Sequence, residues 1–174
     1  ILPASQPSTS KALSSSRRWL AFGIAPGACL GHSVGELAAA CFDFLPARGE
    51  LDLGGGRTLH VPKCLKGVGV FSFRKLCAEA RGAPDYLAIA RAYHTVILVG
   101  IPRMGPENRN EAIRFTKLID ALYEHRVKLF VTAAAEPEQL YQSGDGAFEF
   151  ERTVSRLNEM QSDAYMALGH GAEG

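Results

Sequence analysis

Two arrangements in this sequence carry side chains that could do chemistry. Arg152 and Arg156 lie four residues apart in E-R-T-V-S-R-L-N-E, so a helix there sets both guanidiniums on one face. A guanidinium presents a fixed fork of N–H donors and keeps its charge at any working pH, which suits it to carboxylate and phosphoryl oxygens. The ordinary alternative is helix-surface ion pairing with Glu149, Glu151 or Glu159, worth under about 1 kcal/mol. Arg114 faces the same choice. The second arrangement is G-H-S-V-G at Gly31–Gly35, which fits the nucleophile elbow G-x-S-x-G with Ser33 as nucleophile. An elbow needs a strand directly before it. Ala25–Leu30 is a poor strand, broken by Pro26 and Gly27.

Other reactive residue types are scattered. Cys29, Cys41, Cys64 and Cys77 are too far apart in sequence for a Cys-x-x-Cys knuckle, and read as reduced, small apolar side chains. His32, His60, His94, His125 and His170 lack the i, i+4 spacing with a carboxylate that a helical metal site uses, and read as polar surface or strand-end residues. Asp85 stands at the start of a helical pattern, where a carboxylate serves the first turn and the dipole.

The elements that must position these residues become coherent from Arg57 onward. Arg57–Pro62 and Gly67–Phe73 alternate polar and apolar side chains, and Lys63–Lys66 between them allows a β-hairpin. Phe73–Glu79 and Pro84–Tyr93 read as short helices, with Pro84 in a first turn where its missing N–H costs nothing. Thr95–Ile101 is a continuous β-branched run, as in a strand buried on both faces. Glu107–Arg126 follows as a helix with Ala112, Phe115, Leu118, Ile119 and Leu122 on one face. Val127–Thr132 is a second buried strand. Strand, helix, strand predicts a parallel pair with a right-handed crossover. Pro137–Gln142 gives a helical turn, Ser143–Ala147 a loop, and Glu151–Leu168 a final helix with Val154, Leu157, Met160, Ala164 and Leu168 inward. The fold class expected is α/β, a parallel sheet with flanking helices plus a small hairpin.

Upstream the character differs. Ile1–Ser16 is rich in Ser, Pro and Thr and reads as a tail. Trp19–Leu45 is unevenly patterned, with a helix candidate at Val34–Phe44, and Pro46–Gly56 reads as a Gly-rich connector. The chain thus divides into an atypical or disordered segment, residues 1–45, whose patterning also fits a frameshift, a chimera or a divergent stretch, and a coherent unit, residues 46–174. Hydrophobic residues make up 47% and charged residues 21% of 174, a globular profile. The formal net charge of +1 gives no field for nucleic acid, and no apolar run reaches membrane-spanning length. The start at Ile1 suggests a fragment or processed chain.

The runs R-N-E-A-I-R-F-T-K-L-I-D (Arg109–Asp120), A-L-Y-E-H-R-V-K-L (Ala121–Leu129) and F-E-F-E-R-T-V-S-R-L-N-E-M-Q-S-D-A-Y (Phe148–Tyr165) are similar to the distal part of the ZapE family, the AFG-like ATPases of bacteria and mitochondria. G-R-T-L-H-V-P, F-S-F-R-K-L-C and D-Y-L-A-I-A-R-A-Y-H-T-V match upstream in the same order, over about two-thirds of the chain. The resemblance implies a P-loop, AAA+-like ATPase using ATP and Mg²⁺, with partners at the division site or among membrane-associated proteins. It also implies a bacterial cytoplasmic location, free or at the membrane periphery. Within it Arg152 or Arg156, and more weakly Arg114, would reach nucleotide phosphate. The family usually has two adjacent arginines before the helix Phe; here Ile113 precedes Arg114.

The family's G-x-x-G-x-G-K-[ST] loop is not present in these 174 residues. Gly54–Thr58, G-G-G-R-T, comes nearest and has no Lys. The strand end Gly100–Ile101–Pro102 has no carboxylate for Mg²⁺. The chain is therefore expected to start after the catalytic core, to bind no cofactor alone and to hydrolyse no ATP alone. An incomplete sheet is expected too, with Thr95–Ile101 or Val127–Thr132 exposed for self-association. Two other readings remain open. G-H-S-V-G-E resembles the acyltransferase elbow, in which Ser33 would be acylated. A non-catalytic interaction module is the other.

Overall fold

The structure, a computed structural model, describes residues 18–22 and 47–171. Six strands form one mixed sheet: β1 (Arg18–Phe22), β2 (Ala47–Gly54), β3 (Arg57–Leu65), β4 (Val68–Ser72), β5 (Thr95–Ile101) and β6 (Lys128–Ala133). Their spatial order is β1-β6-β5-β4-β3-β2. The helices are α1 (Ala83–Ala92), α2 (Arg109–Glu124), α3 (Ala147–Glu159) and α4 (Asp163–Ala167), with a π-helical turn at Arg74–Ala78.

Two tight hairpins build the β2–β3–β4 side. Gly54 pairs with Arg57 across Gly55–Gly56, and Leu65 with Val68 across Lys66–Gly67. Both loop residues of each turn have positive φ (64° and 74°; 44° and 81°), the backbone that matches strand twist and that glycine adopts without penalty. Within the stretch Pro46–Gly56 expected as a connector, Ala47–Gly54 is therefore strand: glycines that look like linker composition are the turn that returns β2 onto β3.

The β5–α2–β6 unit is as the spacing predicts. β5 is parallel to β4 on one side and to β6 on the other. Val96, Ile97 and Leu98 are buried in succession, so the central strand is covered on both faces. The five apolar α2 positions read from sequence are all buried. They pack with Phe71, Leu98, Leu129 and Val131 of the sheet and with α1 and α3 in one core. At about 25 cal/mol per Å² such burial is the main stabilising term.

Two expectations are corrected. The exposed sheet edge does not fall on Thr95–Ile101 or Val127–Thr132: β5 is central, and β6 is paired by antiparallel β1, Arg18 opposite Ala133. The edges among the described strands are β1 and β2. The final helix is two helices, starting at Ala147 and interrupted at Met160–Ser162. Ser162 caps the second by accepting the Tyr165 N–H at 3.2 Å. The break rotates the inward face, so Tyr165 is buried while Ala164 and Leu168 are exposed.

Candidate functional site

The arginine pair is placed by how α2 and α3 lie together. Phe115 and Phe150 stack with ring centroids 6.0 Å apart, and the Thr153 hydroxyl donates to Thr116 Oγ1 at 3.0 Å. Phe150, Thr153 and Leu157 form the buried stripe of α3. Arg152 and Arg156 flank that stripe and meet the polar flank of α2 at Asp120.

Both arginines bind that one carboxylate. Arg152 Nη2 reaches Asp120 Oδ2 at 2.6 Å, and Arg156 Nη1 bonds to Asp120 Oδ1. The two are not equivalent. The Arg156 guanidinium lies 5.1 Å from the Tyr123 ring centroid and its side chain is 21% exposed. Tyr123 stacks in turn on Tyr165 at 5.5 Å. The Tyr123 hydroxyl is hydrogen-bonded to Glu159, and that carboxylate, with partial burial, pushes the phenol above its ordinary pKa. Arg156 is thus held by charge on one side and an aromatic face on the other. The Arg152 side chain is 63% exposed. With five N–H donors and one carboxylate contact, it keeps donors turned to solvent. It lines a groove of about 440 Å³ with Arg109, Ile113, Lys117, Asp145 and Glu149.

The ion-pair partners expected from sequence, Glu149, Glu151 and Glu159, are replaced by Asp120. The helices are brought side by side only by the intervening β6, so no local spacing signals a partner 32 and 36 residues away. Arg114 joins no such cluster. Its Nη1 donates to the Cys77 carbonyl at 3.0 Å, tying α2 to the π-helical turn. Ser33, Cys29, Cys41, His32 and the helix candidate Val34–Phe44 lie outside the described residues.

The remaining candidates have structural partners. Asp85 is buried, accepts the Gly82 N–H at 3.3 Å as a helix cap and pairs with Arg57 at 2.8 Å, an ion pair between α1 and β3 that the sequence did not reveal. Cys77 is buried and its thiol is pushed far up by desolvation, so it is inert core. Cys64 is also free. His125 Nδ1 bonds to the Ala121 carbonyl and His170 Nε2 to the Ala90 carbonyl.

The described residues do not fit a nucleotide–magnesium cradle. Gly54–Thr58 is the tip of a β-hairpin that enters a strand, whereas phosphate cradling uses N–H groups at a helix N-terminus. At the end of β5, where a carboxylate would be wanted, the Gly100 N–H donates to Thr132 Oγ1 at 2.7 Å and the ladder shifts register between Leu98 and Ile101.

A family model described as AFG1-like ATPase matches residues 45–168. Cell division protein ZapE of Escherichia coli (strain K12) is 44% identical over 99 residues, 57% of this chain and 26% of that protein. Lactation elevated protein 1 homolog B of Danio rerio is 30% identical over 146 residues, 66% of this chain and 29% of that protein. An uncharacterized protein of Schizosaccharomyces pombe is 29% identical over 139 residues, 64% and 31% respectively. The chain thus spans 26% to 31% of the curated relatives it matches. No solved structure matches it.

Proposed function

The chain belongs to the AFG1-like ATPase family, and on that premise we propose that it is the distal part of an ATPase in which Arg152 meets nucleotide phosphate while Arg156 and Asp120 position it. The observation that carries this reading is the asymmetry of the pair on Asp120: Arg156 is stacked and mostly covered, Arg152 mostly in solvent with free donors. A guanidinium near the γ-phosphoryl stabilises the charge that spreads over its oxygens as the bond to the leaving group breaks. Asp120 holds Arg152 ready but competes with an anionic ligand for it. Approach of phosphate would exchange one carboxylate contact for contacts with phosphoryl oxygens. The cradle and the Mg²⁺ site are assigned to residues other than those described here.

By kinship with the bacterial relative, the reading extends to a division-site or membrane-associated partner and a cytoplasmic or membrane-peripheral place of action. Among the described residues no helix is long and apolar enough to cross a membrane. Ser33, on which the acyltransferase reading rests, lies outside both the described residues and the family match over residues 45–168.

The test is a chimera of the E. coli relative in which residues 45–168 of this chain replace the aligned stretch. Arg152→Ala in the chimera is expected to lower kcat for ATP hydrolysis by at least about a hundredfold while costing under about 1 kcal/mol of stability. An unaltered kcat would overturn the role given to Arg152.

A further inference from the structure

Phe148 is the most exposed large apolar side chain among the described residues, at 80%. Its helix neighbours Phe150 and Leu157 are almost fully buried. The ring stands on a pinned turn. The Phe150 N–H donates to the Gly146 carbonyl at 3.0 Å, and the Tyr141 hydroxyl donates to the Asp145 carbonyl at 2.8 Å. Beside Phe148 lies a groove of about 580 Å³. Tyr141, Ala147 and Val154 give it an apolar lining, and its only charged lining residues are Glu138 and Glu151. Glu138 is held below the usual carboxylate range by the Asn158 side-chain amide, which donates to it at 2.9 Å, so it remains ionised near neutral pH. The groove beside Arg152 differs, because charges of both signs line it.

We propose that the Phe148 face of α3 docks a protein segment carrying an apolar side chain flanked by lysines or arginines. An apolar anchor with a rim of one sign of charge selects the opposite sign around a complementary anchor. The backbone beneath the exposed ring is already held by hydrogen bonds, so binding has only the side-chain torsions of Phe148 left to order there. Arg152 stands one helical turn from Phe148, but the two grooves share no charged lining residue, and the proposal does not depend on the nucleotide reading.

The test uses the full chain and two synthetic amphipathic peptides with the same leucines, one with lysines at its polar positions and one with glutamates. Fluorescence anisotropy should show saturable binding of the lysine peptide and none of the glutamate peptide. Phe148→Ala and Glu151→Lys should each weaken the lysine peptide about tenfold or more, with unchanged circular dichroism. Phe148 is mostly in solvent, so its replacement does not threaten the fold. Equal binding of both peptides, no binding of either, or unchanged affinity in Phe148→Ala would overturn the proposal. So would a dimer of the protein alone that Phe148→Ala abolishes, because the occupant would then be a second copy.

Discussion

Asp120 joins two arginines that neighbour each other on a helix, and the consequences of removing each should differ. Arg156→Ala removes an ion pair and a guanidinium from the Tyr123 ring at a site only 21% exposed, and should cost about 1–3 kcal/mol by urea unfolding. Arg152→Ala at a mostly exposed site should cost under about 1 kcal/mol. Equal losses would contradict the asymmetry on which the functional reading stands. Glu138 makes a second residue-scale case. The Asn158 amide is the main cause of its depressed pKa, with a backbone hydrogen bond adding to it. A depressed folded-state pKa contributes stability above the ordinary carboxylate value, and that contribution disappears as pH falls through the folded value. In Asn158→Ala the Glu138 titration followed by NMR should move up toward the ordinary value, and that part of the acid-side loss of stability should disappear. A titration that does not move would remove Asn158 as the cause.

At the scale of elements, two contacts join pieces that sequence spacing alone does not connect. Arg57 of β3 covers the buried Asp85 carboxylate at the start of α1. Taking Arg57 away leaves that carboxylate buried with only the Gly82 N–H, so Arg57→Met should cost about 1–3 kcal/mol although Arg57 itself is mostly exposed. A loss below a few tenths would show the pair to be idle. At the other end, Lys128 of β6 donates to the carbonyls of Tyr165 and Leu168 and lies over the Tyr165 ring, fastening α4 to the sheet. Lys128→Met and Ser162→Ala should each raise amide exchange across Asp163–Ala167 while leaving α2 protected, Ser162→Ala by about 1 kcal/mol of local opening. Uniform acceleration over both helices would instead show that α4 opens only with the whole domain.

The whole molecule shows which signals survive without tertiary information. The β5–α2–β6 unit was legible because a β-branched run and a 3.6-residue apolar repeat are period signals that need no partner. The Ala47–Gly54 strand was not, because glycine reads as linker until the returning strand is in place, and three positive-φ glycines then make a hairpin tip. The last helix was overrun because its heptad-like spacing continues across Met160–Ser162, where Ser162 restarts the helix on another face. The four-residue spacing places Arg152 and Arg156 on one face, but their shared acceptor Asp120 lies on a neighbouring helix whose approach only the sheet dictates. Family kinship was legible because the motif run Phe148–Tyr165 is long and the match extends over residues 45–168.

On the proposed reading labour is divided: Arg152 serves phosphate, and these 174 residues contain no G-x-x-G-x-G-K-[ST] run to cradle it. Equilibrium titration of the 174-residue chain with a fluorescent ATP analogue in the presence of Mg²⁺ tests that division most directly. The expected result is no saturable binding and no ATP turnover above background. Saturable binding in the micromolar range, or turnover that Arg152→Ala abolishes, would contradict it.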